Sequence, residues 1–169
     1  MVVEDYIIVD WEETETGVLL EENEDWVLIK SIPVDFQVDG YKLINKACIE
    51  NRFTNTNKAL KKVLELRKLV FQKPKGFEFK TDSVAMLKWV ESVYGCFEFQ
   101  DATEDELFYG VLNHSKGLFF TIDSILSDGT IDLEFDVEFS KDEVRVISFD
   151  SDYFNAISLL YNHKKEEEI

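Results

Sequence analysis

Four carboxylates, Asp132, Glu134, Asp136 and Glu138, alternate with the apolar residues Ile131, Leu133, Phe135, Val137 and Phe139. Carboxylates in company serve hydrolysis, calcium binding or the reception of a basic partner, and spacing has to choose among these. Hydrolysis needs a buried acid of raised pKa working beside an ionised one, which a row of acids on one exposed face does not supply. Calcium fares no better. With Gly129 as the sharp-turn glycine, the first, third and twelfth ligand positions fall on Ser124, Leu126 and Phe135, none of which carries a carboxylate. What remains is electrostatic. On a strand, side chains alternate between faces, so the four acids stand on one face about 6 to 7 Å apart, solvated or offered to a cationic surface.

The other reactive residue types stand alone. His114 and His163 have no second ligand type at a metal-binding spacing, so no metal is expected. No HExxH, GxSxG or glycine-rich phosphate loop occurs. Cys48 lies beside Lys46 but has no neighbouring histidine to make it a nucleophile. Cys48 and Cys96, far apart and outside any CxxC, read as free thiols of a reducing compartment. Neither a catalytic group nor a cofactor is expected.

Charge narrows the partner class. Thirty-five acidic residues against 18 basic ones leave a formal charge of −17, which repels phosphate over most of the surface and attracts cationic proteins. The acids Glu4 and Asp5 stand where a signal peptide would carry lysine, and no apolar run is long enough to span a membrane. A cytoplasmic, monomeric protein without membrane association is the expectation. One segment opposes the trend: residues 54–80 hold eight lysines and arginines against Glu65 and Glu78, a local +6. Lys58, Lys61, Lys62 and Lys68 are its nucleic-acid-binding candidates. A binding stripe would interleave aromatics among them, and only Phe53 and Phe71 flank the run.

The elements that position these residues follow from a repeat. Gly17-Val18-Leu19 recurs as Gly110-Val111-Leu112, and at the same offset Ile29, Ile32 and Asp39 match Ile122, Ile125 and Asp132. After a two-residue slip, Lys46 and Ile49 match Lys141 and Val144. In the first copy, strands are expected near 6–11, 17–21, 26–32, 36–44 and 48–51, with a bend at Asp39-Gly40. The second copy repeats them near 107–113, 118–126, 130–139 and 144–149, with 96–100 leading in and a turn at Ser127-Asp128-Gly129. Helical periodicity marks 56–71, ended by Pro74 and Gly76, and 82–94, closed by Gly95. A third helix follows the cap at 150–152, with a frayed tail from Lys164.

This pattern predicts an α+β fold. Two small SH3-like or Sm-like β-barrels, residues 1–53 and 96–169, are joined by a helical linker, 54–95, with a C-terminal helix closing the second. The stretches Asp25 to Lys30, Pro33 to Lys46, Gly110 to Asp123-Ser124, Asp128-Gly129 and Asp150 to Tyr153 resemble a bacterial family of about this length that has no assigned activity. The resemblance implies two such barrel halves and carries no functional residue with it. The expected function is an acidic protein-interaction module, such as an immunity protein or antitoxin that neutralises a basic nuclease-type toxin. Its contact candidates are Asp132, Glu134, Asp136 and Glu138, with Asp35 and Asp39 from the first copy. An Sm-like nucleic-acid module using the basic helix, an enzyme of unrecognised type and a scaffold are the alternatives.

Overall fold

A computed structural model describes every residue from Met1 to Ile169. The chain divides into two compact units, Met1–Glu78 and Phe79–Ile169. The first contains β1 (Val3–Ile8), β2 (Thr14–Glu22), β3 (Trp26–Ser31), β4 (Tyr41–Asn45), a 3-10 turn at Lys46–Cys48, β5 (Ile49–Thr54) and α1 (Lys58–Leu66). The second contains α2 (Ser83–Tyr94), β6 (Phe97–Gln100), β7 (Phe108–Lys116), β8 (Phe119–Ser124), β9 (Glu138–Ser140), a 3-10 turn at Lys141–Glu143, β10 (Val146–Phe149) and α3 (Asp152–Glu167).

The two units share one strand order, β5-β1-β2-β3-β4 in the first and β10-β6-β7-β8-β9 in the second, with antiparallel ladders. The repeat read from the sequence is also one of register. Leu19 pairs with Ile29 and Leu112 with Ile122, and a bulge follows each pairing, at Leu19/Glu21 and at Leu112/His114. Lys46 and Lys141 each open a 3-10 turn, and Ile49 and Val144 each close one in extended conformation. Gly17 and Gly110 explain their own recurrence. A Cβ on Gly17 would stand 2.6 Å from Ile29 Cδ1 and 2.7 Å from the Lys30 carbonyl oxygen, and one on Gly110 would stand 2.7 Å from the Asp123 carbonyl oxygen.

Closure into barrels, expected from the spacing, is not found. In each unit the order is linear, with the fifth strand at one end and the fourth at the other. Closing a sheet needs strands long enough to tilt and stagger around an axis, and here β4 has five residues and β9 only three.

Helix α1 is shorter than its periodicity suggests. Asn57 caps it by accepting from the Leu60 amide, and its last helical residue is Leu66. Lys68 then enters the left-handed region at φ 54, eight residues before Gly76. The chain turns there because Phe71 packs back on the apolar cluster of Val3, Val18, Ile32, Leu60 and Leu64, which joins α1 to the first sheet. Helix α2 behaves as expected: Asp82 caps it, and Gly95 ends it in the left-handed conformation at φ 89. Helix α3 is capped by Ser151 and runs to Glu167, so the tail expected to fray from Lys164 is helical for another turn.

The core of the second unit is aromatic. Phe139 sits at its centre, with ring centroids 5.0 Å from Phe99, 4.8 Å from Phe108 and 5.4 Å from Phe120. Such edge-to-face and offset contacts add about 0.5–1.5 kcal/mol each beyond area burial.

Candidate functional site

The acidic run is not a strand. Only Glu138–Ser140 belong to β9, and residues 126–137 form a loop with one isolated bridge, Ile125 to Ile131. Asparagine-like turn chemistry explains why. Asp128 Oδ1 accepts from the Thr130 amide at 2.9 Å and hydroxyl at 2.6 Å, and Asp132 Oδ1 accepts from the Glu134 amide at 3.0 Å. A short carboxylate that bonds the backbone two residues ahead holds a turn in competition with a ladder. The apolar residues consequently part company. Phe139 is buried and Phe135 half-buried, whereas Leu133 is 93% exposed and Val137 43%.

The corresponding loop of the first unit behaves alike. The strand expected at 36–44 starts at Tyr41, after a tight turn in which the Gln37 amide donates to the Val34 carbonyl at 2.9 Å. Asp35, in that turn, has φ 43, and Gly40 has φ 72. Asp35 is exposed and Asp39 half-buried. In the second unit Glu134, Asp136 and Glu138 are exposed and Asp132 is half-buried. None of these four enters an ion pair.

One member of the run joins a feature that sequence reasoning missed. Asp132 lines a groove of about 590 Å³ in the second unit, together with Asp105 and Glu106 from the β6–β7 loop. Aromatic rings form part of its walls, together with Leu107, Ile125, Leu126 and Ile157. Phe108 meets Phe135 edge-on at 6.2 Å, and Tyr109 meets Tyr153, from the first turn of α3, edge-on at 5.9 Å. No lysine or arginine lines it. A smaller depression of about 410 Å³ beside α3 differs in carrying Lys164 and Lys165 on its lining.

One wall of the groove is held in place. Tyr109 and Glu98 lie directly opposite each other on β7 and β6, and the Tyr109 hydroxyl is hydrogen-bonded to Glu98, whose side chain is buried. Burial first, and then the Glu98 charge, push the Tyr109 hydroxyl well above the usual tyrosine range. A tyrosine so held stays neutral and presents its ring in one orientation. The first unit puts an acid and a hydroxyl at the equivalent register: Thr16 Oγ1 donates to Asp5 Oδ1 at 2.6 Å, and Asn55 Nδ2 donates to both Asp5 oxygens. Without an aromatic at Thr16, that unit has no matching ring wall.

The lysine candidates sit on α1 and just beyond it. Lys58, Lys62 and Lys68 are exposed and Lys61 is half-buried. Arg67, in the same run, donates through Nη1 to the Phe36 carbonyl at 2.5 Å. The aromatics exposed beside this segment are Phe53, ahead of it in the chain, and Phe36, whose carbonyl takes the Arg67 bond.

No three histidine, cysteine, aspartate or glutamate side chains converge as a metal-binding group. Cys48 is half-buried and Cys96 buried, both as free thiols. No helix is long and apolar enough to cross a membrane.

No protein-family model, no curated protein and no solved structure matches the chain.

Proposed function

We propose that this chain is an acidic protein-interaction module whose second unit receives a basic partner. The observation that carries the reading is the distribution of charge. Residues 79–169 hold 20 acidic against 7 basic side chains, a net −13, whereas residues 1–78 hold 15 against 11, a net −4. Glu134, Asp136 and Glu138 are exposed on the same unit without ion-pair partners. Exposed like charges cost solubility nothing and speed the encounter with an opposite surface.

A nuclease-type toxin is the partner class this surface serves best. Such an enzyme must be basic to hold phosphate, so carboxylates laid over its active face exclude substrate while gaining fast association. The role is that of an immunity protein or antitoxin, and it requires binding rather than catalysis. The shared strand order, with a 3-10 turn between the fourth and fifth strands, supports reading each unit as an SH3-like or Sm-like module.

The experiment is affinity capture from the native source at low salt, followed by association kinetics with the captured protein. A basic partner should associate many-fold more slowly with E134K/D136K/E138K than with the unaltered chain, and raising the salt should remove the difference. Equal association rates would overturn the reading. Salt-dependent binding of single-stranded RNA, lost on neutralising Lys58, Lys61, Lys62 and Lys68, would replace it with the nucleic-acid reading.

A further inference from the structure

The aromatic groove of the second unit has a shape and a charge that the exposed acids alone do not explain. Its volume of about 590 Å³ lies within the range of pockets that take small ligands or a few residues of a peptide. Its apolar lining joins the rings of Phe108, Tyr109, Phe135 and Tyr153 to leucine and isoleucine side chains, and its polar groups include three carboxylates without an ion pair. Aromatic faces carry negative potential above the ring plane and attract cations placed over them. Rings and acids therefore select the same sign of charge.

We propose that this groove binds an arginine side chain, presented by an exposed segment of the basic partner inferred above. The inference rests on that reading and deepens it by naming the recognition element. Arginine fits better than lysine for two reasons. Its guanidinium is flat and weakly hydrated, so it stacks on a tyrosine face at low desolvation cost, and its five donors in a fixed fork can engage two carboxylates at once. Lysine offers one strongly hydrated point charge. Tyr109 is the fixed wall, held by its hydrogen bond to Glu98 on the neighbouring strand. Tyr153, 57% exposed, is the wall a ligand can reach from solvent. Asp105 and Glu106, exposed on their loop, and Asp132, anchored by its own turn, supply the acceptors.

Titration of the isolated chain with the peptide acetyl-Gly-Arg-Gly-Arg-Gly-amide at low salt, followed by amide NMR shifts and calorimetry, tests this. The lysine counterpart and three variants run alongside: Tyr153→Ala, D105N/E106Q, and the charge-matched control D142N/E143Q, two exposed side chains that do not line the groove. The expected result is shifts centred on Phe108, Tyr109, Asp132 and Tyr153. Affinity for the arginine peptide should exceed that for the lysine peptide, and fall roughly three- to tenfold in each groove variant but not in the control. Equal losses in groove and control variants, or shifts elsewhere on the unit, would overturn the groove while leaving the acidic-module reading in place. Absence of any binding by either cationic peptide would sink both.

Discussion

Arg52 on β5 grips Glu4 on β1: its Nε donates to Glu4 Oε2 at 2.9 Å, and its Nη2 lies 2.8 Å from the same oxygen. The remaining arm, Nη1, reaches Glu22 at 2.6 Å, and the guanidinium lies 5.4 Å from the Tyr6 ring centroid. Tyr6 in turn donates its hydroxyl to Glu4 at 2.5 Å. One cation thus holds two carboxylates and a buried ring in a half-buried place, where loss of a single partner leaves the others uncompensated.

Arg52→Met, which keeps much of the apolar stem, should therefore destabilise the first unit by about 2 kcal/mol. Glu4→Gln added to it should restore part of the loss, because the stranded charge is then gone. Urea denaturation of both variants reads this directly, and an additive double variant would dissolve the network.

Gly17→Ala and Gly110→Ala should each cost roughly 1–3 kcal/mol by overpacking against the neighbouring strand. Neither glycine has a positive φ, so the cost is that of contact with Ile29 and Lys30, or with Ile122 and Asp123, rather than of backbone strain. Thermal unfolding of the two variants checks it. A harmless alanine at either place would mean that the strands part easily there.

Leu133 and Phe139 both belong to the alternating acidic run, yet they should respond in opposite ways. Leu133→Ser should change stability by no more than about 0.5 kcal/mol, because its side chain is already in water. Phe139→Ala should cost about 3–5 kcal/mol through the loss of its ring contacts and the cavity left behind. A large loss at Leu133 would restore the continuous strand.

Stability should fall at alkaline pH. Burial pushes the Cys96 thiol up to about 11 from an ordinary value near 9, with the Ser158 hydrogen bond pulling the other way and the Glu98 and Glu91 charges adding to the rise. Burial and Glu4 raise Tyr6, and burial and Glu98 raise Tyr109. Each group keeps a proton in the folded chain that it releases when unfolded, so this stabilisation is complete below pH 9 and is lost as pH rises from 9 through 11 and beyond. Urea midpoints at several values between pH 8 and 10.5 should show the decline, and Cys96→Ala should remove the earliest part of it. A flat profile would contradict the burial of these groups.

The repeat was readable in the residues because its cause is local and steric. Gly17 and Gly110 sit where a neighbouring strand leaves no room for a Cβ, Leu19 and Leu112 sit before a bulge, and Lys46 and Lys141 open a turn. The caps at Asp82 and Ser151 and the stop at Gly95 were readable for the same reason: each acts on the backbone within a few residues of itself. Alternation from Ile131 to Phe139 misled because acids spaced by two satisfy a strand's period and an Asx turn's geometry equally well. The choice between them came from distant partners, Ser124 for the Asp132 amide and the rings of Phe99, Phe108 and Phe120 for Phe139.

Residue types and short spacings were thus enough to decide the start and stop of α2, the cap of α3, the paired glycines, the twofold plan and the excess of negative charge, all of which depend on neighbours in the chain or on simple counting; the cap of α1 fell instead on Asn57. Tertiary structure alone decided that Asp105, Glu106 and Asp132 share a groove with Tyr109 and Tyr153. Those residues come from two loops, a strand and a helix separated by up to 48 positions, and no periodicity spans such a distance. Only the packing of α3 and the β8–β9 loop against the sheet brings rings and carboxylates to one place, because that packing is what buries Phe139, Phe154 and Ile157 away from water.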